Sequence, residues 1–257
     1  MRQVIRGLYT SASGMILCNQ QSEVMEKNIE NLRNPGYRQA SERVTSFPRQ
    51  LVSRISANAP QSSEKETLGI MGTGVYADRK YYSPEPGDLR KTENNTDIAL
   101  NSEGYFVIQT IDGERYTRNG HFQLDPSGRL RTAGGNMVLG ENGPIGPLPE
   151  KFEVSLNGTI QDSETHEIID RLRIADIPPL DLQKEGITNL YSSVNEPLEV
   201  DRDLIRIHQG YVEESNVNLD AQMVKMLQVS RAYSANQKMV QINDALLQKA
   251  ANEIGKL

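Results

Sequence analysis

The strongest constraint on the fold is a pair of long helical patterns at the two ends of the chain. Residues 4–32 and 213–254 carry apolar side chains at helical spacing, and strand-like sequence fills the region between them. Neither pattern can bury its apolar stripe by itself, and such a helix is marginal without a partner surface. The sequence therefore predicts that the two ends pair with each other and with neighbouring copies, as in an assembly subunit.

The N-terminal pattern is the weaker of the two. Gly7 and Gly14 lie inside it, and each costs about 1 kcal/mol relative to alanine in a helix interior. The segment Asn34-Pro35-Gly36 is predicted to end the helix, because proline disfavours helical geometry at the residue before it. The predicted packing residues of this helix are Leu8, Met15, Ile29 and Leu32.

The C-terminal pattern fits a heptad frame and also carries a second apolar stripe. The frame consists of Leu219, Met223, Met226, Ser230, Tyr233, Gln237, Val240, Asp244, Leu247, Ala251 and Ile254. The second stripe consists of Ala235, Met239, Ile242, Leu246 and Ala250. The predicted packing residues are Leu219, Met226, Tyr233, Val240 and Leu247. Two stripes favour a helix with several neighbours in a tube or bundle, and an intramolecular two-helix hairpin is the alternative.

The middle of the chain has the pattern of an antiparallel β domain. Short β-rich runs are separated by turn signals such as Asp112-Gly113 and Asn157-Gly158. The predicted fold class is α+β, with long terminal helices that pair in a coiled-coil-like manner. The predicted domains are a terminal helical domain (1–34 and 213–257), an extended connection (35–90, with a polar mobile segment at 53–68) and a central antiparallel β domain (91–206).

Composition excludes several classes of function. The formal net charge of −6 gives no basic footprint for nucleic acid. Cys18 is the only cysteine and is predicted to be a small buried residue. No apolar run is long enough to span a membrane, and the N-terminus lacks the apolar region of a cleavable signal peptide.

No chemistry-bearing motif is present either. The histidines at 121, 166 and 208 lack the spacing of metal ligands, and no nucleophile motif occurs. We therefore predict no catalytic, cofactor-binding or metal-binding residue. Glu213 and Glu214 precede Ser215-Asn216, where a helix could begin, and are expected to interact favourably with its N-terminus.

Motifs at both ends and in the centre resemble those of flagellar basal-body rod and hook proteins. LYTSASGM (8–15), NIEN (28–31) and NPGYR (34–38) are similar to the family's LYTAASGM, NN(L/I/M)AN and NTPGYK. QGYVEESNVN (209–218) and RAYSANQK (231–238) resemble its QGxLExSNVN and RAYEANxK, and the central TDIAL, GYFV, YTRNGHF and NLY also match. The matching motif residues include Asn28, Asn31, Gly36, Tyr37, Asn216 and Asn236. Lys27, Glu30 and Arg33 depart from the pattern.

The resemblance implies a structural rod subunit that polymerises through its terminal helices. Its implied partners are other copies of itself, other rod and hook subunits, and the flagellar type III export apparatus, with no nucleic acid, membrane insertion or cofactor. Its implied location is the flagellar basal body. A single central β domain is similar to the FlgF/FlgG type, or the FlhO/FlhP type of firmicutes, and the short middle favours the proximal over the distal rod. Asn216 and Asn236 would satisfy backbone groups or bond across subunits. The alternatives are a rod-associated cell-wall hydrolase and a cytoplasmic assembly chaperone.

Overall fold

A computed structural model describes residues 2–54, 66–185, 189–201 and 204–254. The chain divides into two compact units. Unit 1 comprises Met1–Lys27, Ser41–Lys80 and Asp220–Leu257, and unit 2 comprises Asn28–Ala40 and Tyr81–Leu219. Helices near both ends and antiparallel sheets between them confirm the predicted α+β class. The predicted mobile segment 53–68 lies largely outside the described residues.

Unit 1 contains most of the two long helices. Helix α1 spans Arg2–Glu30 and helix α2 spans Leu219–Ile254. Four strands follow α1, and they form two two-stranded sheets in which β1 pairs with β4 and β2 pairs with β3. Their bounds are β1 (Ala40–Ser46), β2 (Gln50–Arg54), β3 (Glu66–Met71) and β4 (Val75–Tyr82). Helix α2 begins six residues later than the predicted 213, because residues 211–213 belong to a strand.

Unit 2 contains the remaining strands. They are β5 (Leu89–Lys91), β6 (Ile98–Leu100), β7 (Tyr105–Thr110), β8 (Gly113–Thr117), β9 (Phe122–Leu124), β10 (Leu130–Thr132), β11 (Met137–Gly140), β12 (Gly143–Pro144), β13 (Phe152–Val154), β14 (Thr159–Asp162), β15 (Ile168–Arg171), β16 (Ile174–Asp176), β17 (Leu182–Glu185), β18 (Leu190–Ser193), β19 (Leu198–Glu199), β20 (Ile207–Gln209) and β21 (Tyr211–Glu213).

The central sheet of unit 2 runs in the order β17-β18-β8-β7-β11-β10-β9. Strand β16 joins β7 and carries β19, while β12 pairs with β11. A second sheet has the order β13-β14-β15, and two pairs, β6–β20 and β5–β21, connect the early and late parts of the chain. All of these pairings are antiparallel. The predicted turns are confirmed at Gly113 and Gly158, whose φ angles of 109° and 82° suit glycine.

The core of unit 2 lies between these sheets. Phe106 and Phe122 meet edge to face with ring centroids 5.2 Å apart. Their buried neighbours are Ile98, Leu100, Ile108, Leu130, Val138, Ile145, Leu148, Phe152, Ile160, Leu172, Ile174, Ile205 and Ile207. Residues from 98 to 207 thus contribute to one cluster, so the sheets form a common core.

Candidate functional site

The two long helices bury a seam with regular spacing. Among the described side chains of α2, the less exposed ones alternate at intervals of four and three, and they are Gln222, Met226, Val229, Tyr233, Asn236, Val240, Asn243, Leu247 and Ala250. The less exposed residues of α1 include a set with the same alternation: Gly7, Ser11, Gly14, Cys18, Gln21 and Met25. This is the spacing by which one helix keeps a single face toward another.

Glycines of α1 lie against asparagines of α2. A Cβ built on Gly7 would stand 3.1 Å from Nδ2 of Asn243, and one on Gly14 would stand 2.8 Å from Nδ2 of Asn236. Residue numbers rise along α1 as they fall along α2, so the helices are antiparallel here. The family-like motifs that contain Gly14 and Asn236 come from opposite ends of the chain and meet at this contact.

The predicted heptad frame of α2 was wrong at six of its ten described positions. Met226, Tyr233, Val240 and Leu247 lie on the seam and are half-buried, whereas the other described frame positions are exposed; the side chain of Ile254 lies outside the described residues. One exposed frame position is Leu219, and the others are each displaced by one residue from the seam: Met223, Ser230, Gln237, Asp244 and Ala251. The physical reason is that the facing glycines leave room for polar asparagines, so an apolar pattern does not mark this side of the seam.

The other predicted packing residues have mixed environments. Leu8, Met15, Ile29 and Leu32 are half-buried, and Leu219 is exposed. Among the described side chains of α1, the buried apolar ones are Leu17, Cys18, Val24 and Met25. Burial of Cys18 is as predicted, while Leu17, Val24 and Met25 were missed because polar residues break the stripe between 19 and 23.

Two apolar patches remain exposed on α2. Patch A consists of Met223, Val224 and Leu227, and patch B of Met239, Ile242 and Leu246; these side chains are 50–61% exposed. At 3.6 residues per turn, Met223 and Leu227 lie on one flank of the seam and patch B lies on the other. The outer face of α1 also exposes Tyr9 and Ile16. Unit 1 therefore presents apolar surface in more than one direction.

A buried ion cluster lies in unit 2, centred on Glu213. Its side chain is 1% exposed; Oε2 accepts a hydrogen bond from Arg118 Nε at 2.6 Å, and Oε1 lies 3.1 Å from Arg38 Nη2. Oε1 also accepts a hydrogen bond from the backbone N–H of Gly87 at 3.0 Å. The expectation that Glu213 interacts with a helix N-terminus was wrong, because it ends strand β21 with its carboxylate turned into the protein.

Backbone carbonyls accept further hydrogen bonds from both arginines. Arg118 Nη2 donates to the carbonyl oxygens of Leu100 at 2.9 Å and Ser102 at 2.6 Å, and Nη1 donates to that of Gly104. Arg38 Nη1 donates to the carbonyl oxygens of Pro84, at 2.7 Å, and Glu85. Desolvation lowers the pKa of Arg38, and the charge of Glu213 opposes that shift.

Asn28 fixes the segment that follows α1. Its Oδ1 accepts hydrogen bonds from the N–H of Ala40 at 2.8 Å and the hydroxyl of Tyr37 at 3.0 Å, while its Nδ2 donates to the carbonyl of Ala40 at 2.8 Å. Burial raises the pKa of Tyr37. Asn31 accepts a hydrogen bond from the side-chain amide of Asn34 at 2.8 Å.

Asn216 joins this segment to the one that precedes α2. Its Oδ1 accepts a hydrogen bond from the N–H of Gln39 at 2.7 Å, and its Nδ2 donates to the carbonyl of Glu85 at 2.7 Å. The N–H of Gly36 also donates to the carbonyl of Glu213 at 2.7 Å. A Cβ on Gly36 would lie 2.4 Å from the backbone of Arg118, and its φ is 68°, so only glycine fits.

The structure thus brings three family-like motifs together at one cluster in unit 2. They contain Arg38, Arg118 and Glu213; the two arginines were not predicted as site residues, and Glu213 was predicted only to interact with a helix N-terminus. Each lies in a motif that resembles those of the family, and this resemblance was the signal in the sequence that could have pointed to them. Nothing in their spacing showed that they meet, because they lie 80 and 95 residues apart along the chain.

The part of the chain that the structure describes offers little for catalysis or metal binding. No group of three or more histidine, cysteine, aspartate or glutamate side chains could hold a metal ion among these residues. His121 Nδ1 lies 2.6 Å from Asp97 Oδ1, and Asp97 Oδ2 also accepts a hydrogen bond from Asn94 Nδ2 at 3.3 Å. Neither described helix is long and apolar enough to cross a membrane.

Comparisons with known proteins agree with these motifs. Residues 99–189 match the family model described as the flagellar hook protein FlgE/F/G D1 domain, and residues 208–253 match the flagellar basal body rod FlgEFG protein C-terminal model. The flagellar hook-basal body complex protein FlhO of Bacillus subtilis (strain 168) is 31% identical, over 99% of this chain and 100% of that protein.

Two further relatives are rod proteins. The flagellar basal-body rod protein FlgG of Buchnera aphidicola subsp. Schizaphis graminum is 30% identical, over 96% of this chain and 98% of that protein. The flagellar basal-body rod protein FlgF of Escherichia coli (strain K12) is 30% identical, over 91% of this chain and 92% of that protein. These are structural proteins rather than enzymes, which removes the support for the hydrolase alternative. The chain belongs to the family of flagellar basal-body rod and hook proteins.

Proposed function

We propose that this chain is a structural subunit of the flagellar rod that polymerises through its terminal helices. Helices α1 and α2 pair in a coiled-coil-like manner within one subunit, and their outward faces bind neighbouring copies. Residues 1–34 and 213–257 act as the terminal helical domain, 35–90 as the connection and 91–206 as the central β domain.

The observation that carries this proposal is the exposed apolar surface of α2. Patches A and B together expose six large apolar side chains on a helix whose seam is already occupied by α1. Because the patches lie on opposite flanks, one helix can contact two different neighbours. Contacts between unlike surfaces of identical subunits produce open helical filaments when the rotation between subunits does not close into a ring, and a rod requires such a filament.

The buried cluster around Glu213 has a supporting role in this proposal. It joins the segment after α1 to the segment before α2 through Arg38, Glu213 and Asn216. Polymerisation through both helices requires their connections to keep a fixed geometry. The cluster supplies that geometry within unit 2.

The partners are other copies of the chain, other rod and hook subunits, and the flagellar type III export apparatus, and the site of action is the basal body. Within the rod we favour the proximal position, because of the short central domain and the similarity to FlhO and FlgF. The similarity to FlgG supports the distal position as the competing assignment.

The patches can be tested separately in a deletion strain that is complemented with variants. Leu227→Asp in patch A and Ile242→Asp in patch B should each abolish motility and incorporation into purified basal bodies. The matched controls are Gln228→Asp and Gln241→Asp, which add the same charge at exposed polar positions of the same helix. Unit 2 should remain folded in all four, as judged by the near-ultraviolet circular dichroism of its tyrosines. Normal incorporation of both patch variants would contradict polymerisation through α2.

A further inference from the structure

We propose that the two glycine–asparagine contacts set the register of the α1–α2 pair. Gly7 and Gly14 are seven residues apart, and so are Asn236 and Asn243. Both contacts have the same arrangement, in which the amide side chain of an asparagine on α2 fills the space beside a glycine on α1. Two equal intervals on opposite helices define one alignment.

The distances show how tightly each asparagine fits. A Cβ on Gly14 would lie 2.8 Å from Nδ2 and 3.1 Å from Oδ1 of Asn236, and one on Gly7 would lie 3.1 and 3.2 Å from the same atoms of Asn243. Any larger residue at Gly14 must displace Asn236 or push the helices apart. Asn243 is buried, and its Nδ2 donates to the carbonyl of Met239 at 2.9 Å, so its side chain is held in place.

Other alignments lose this fit. Sliding α1 by one heptad along α2 keeps at most one of the two contacts. In one direction Asn236 then faces Gln21 instead of Gly14, and two amide side chains compete for one space. Because the seam is rich in polar and small residues, apolar burial alone selects the alignment poorly, and a polar seam residue can specify it.

The register determines the heights at which the outward faces of the two helices lie relative to each other. A slipped pair would present patches A and B at different heights relative to Tyr9 and Ile16. The two glycines and two asparagines therefore position the outward surfaces of the helices relative to each other. They do so within a single chain, whether or not that chain polymerises.

The test is disulfide formation in the purified full-length chain. In a Cys18→Ser background, Gly7→Cys with Asn243→Cys reports the native register, since a Cβ on Gly7 lies 3.4 Å from Cγ of Asn243. Gly7→Cys with Ala250→Cys reports a register slipped by one heptad. The native reporter should form an intramolecular disulfide, and the slipped reporter should not.

The contact at Gly14 is then varied in the native reporter. Gly14→Asn should slow disulfide formation about tenfold, and Gly14→Asn combined with Asn236→Gly should restore it, since the exchange conserves the volume at the contact. Thr10→Asn, at an exposed position of α1, is the matched control and should have no effect. An unchanged rate with Gly14→Asn, no recovery in the exchanged variant, or a native reporter that fails to form would each overturn the proposal. None of these results depends on whether the chain polymerises.

Discussion

Replacing Glu213 by glutamine should strongly destabilise unit 2. The substitution keeps the size of the side chain but removes its charge, which leaves Arg38 and Arg118 buried beside each other without a counter-ion. Breaking a buried ion pair from one side costs about 3–5 kcal/mol. Glutamine can still accept the hydrogen bond from Gly87, so we expect the lower end of that range, about 3 kcal/mol of unfolding free energy.

Urea unfolding followed by tyrosine fluorescence measures this loss. The chain has 10 tyrosines and no tryptophan, and Tyr82, Tyr105 and Tyr191 are buried in unit 2. The adjacent residue provides the control. Glu214 Oε1 lies 2.7 Å from Arg90 Nε, but these side chains are 50% and 59% exposed, so Glu214→Gln should cost less than about 1 kcal/mol.

Comparing the stability losses of Glu213→Gln and Glu214→Gln tests whether the buried cluster stabilises unit 2. If Glu213→Gln lowered stability no more than Glu214→Gln, the cluster would not hold unit 2 together. If Glu213→Gln is destabilising, the further substitution of Arg38 and Arg118 by methionine should recover part of the loss, because it removes the uncompensated charges.

Three other results are expected. Asn28→Ala should lower stability by about 3 kcal/mol, since it leaves the backbone polar groups of Ala40 unpaired, whereas Asn19→Ala on the exposed face of α1 should change it by less than about 0.5 kcal/mol in the same urea experiment. Met226→Asp should abolish the α1–α2 seam, measured as lost helical circular dichroism, with unit 2 intact; unchanged helicity would contradict the seam. Burial raises the pKa of Tyr37, Tyr82, Tyr105 and Tyr191, so their contribution to stability is complete below the ordinary tyrosine pKa of about 10 and is lost as the pH rises through the higher folded values. Phenolate absorbance that rose equally early in native and denatured protein would refute this assignment.

Much of the fold could be predicted because local rules dominate it. Helical spacing marked both terminal helices, and Asx-Gly pairs marked turns where glycine adopts positive φ, as at Gly113 and Gly158. The exact start of α2 could not be predicted, because residues 211–213 pair with β5, which lies more than 100 residues earlier in the chain.

The buried cluster and the helix seam were harder to predict from the sequence than the fold. Charged residues are normally solvated, so a buried role for Arg38, Arg118 and Glu213 depends on carbonyls and amides that only the fold brings to them. The predicted frame of α2 missed the seam by one residue at alternate positions. The reason is that the space beside Gly7 and Gly14 is filled by asparagines, which an apolar pattern does not mark. In both places the deciding partner is distant in sequence.

The central claim is that this chain is built into the flagellar rod, and quantitative mass spectrometry of purified hook–basal bodies tests it most directly. The measurement compares the parent strain with a strain that lacks the gene. The account predicts several copies of the chain in each basal body of the parent strain, and arrest before hook assembly in the deletion strain. Basal bodies without the chain, together with normal hooks in the deletion strain, would contradict the account.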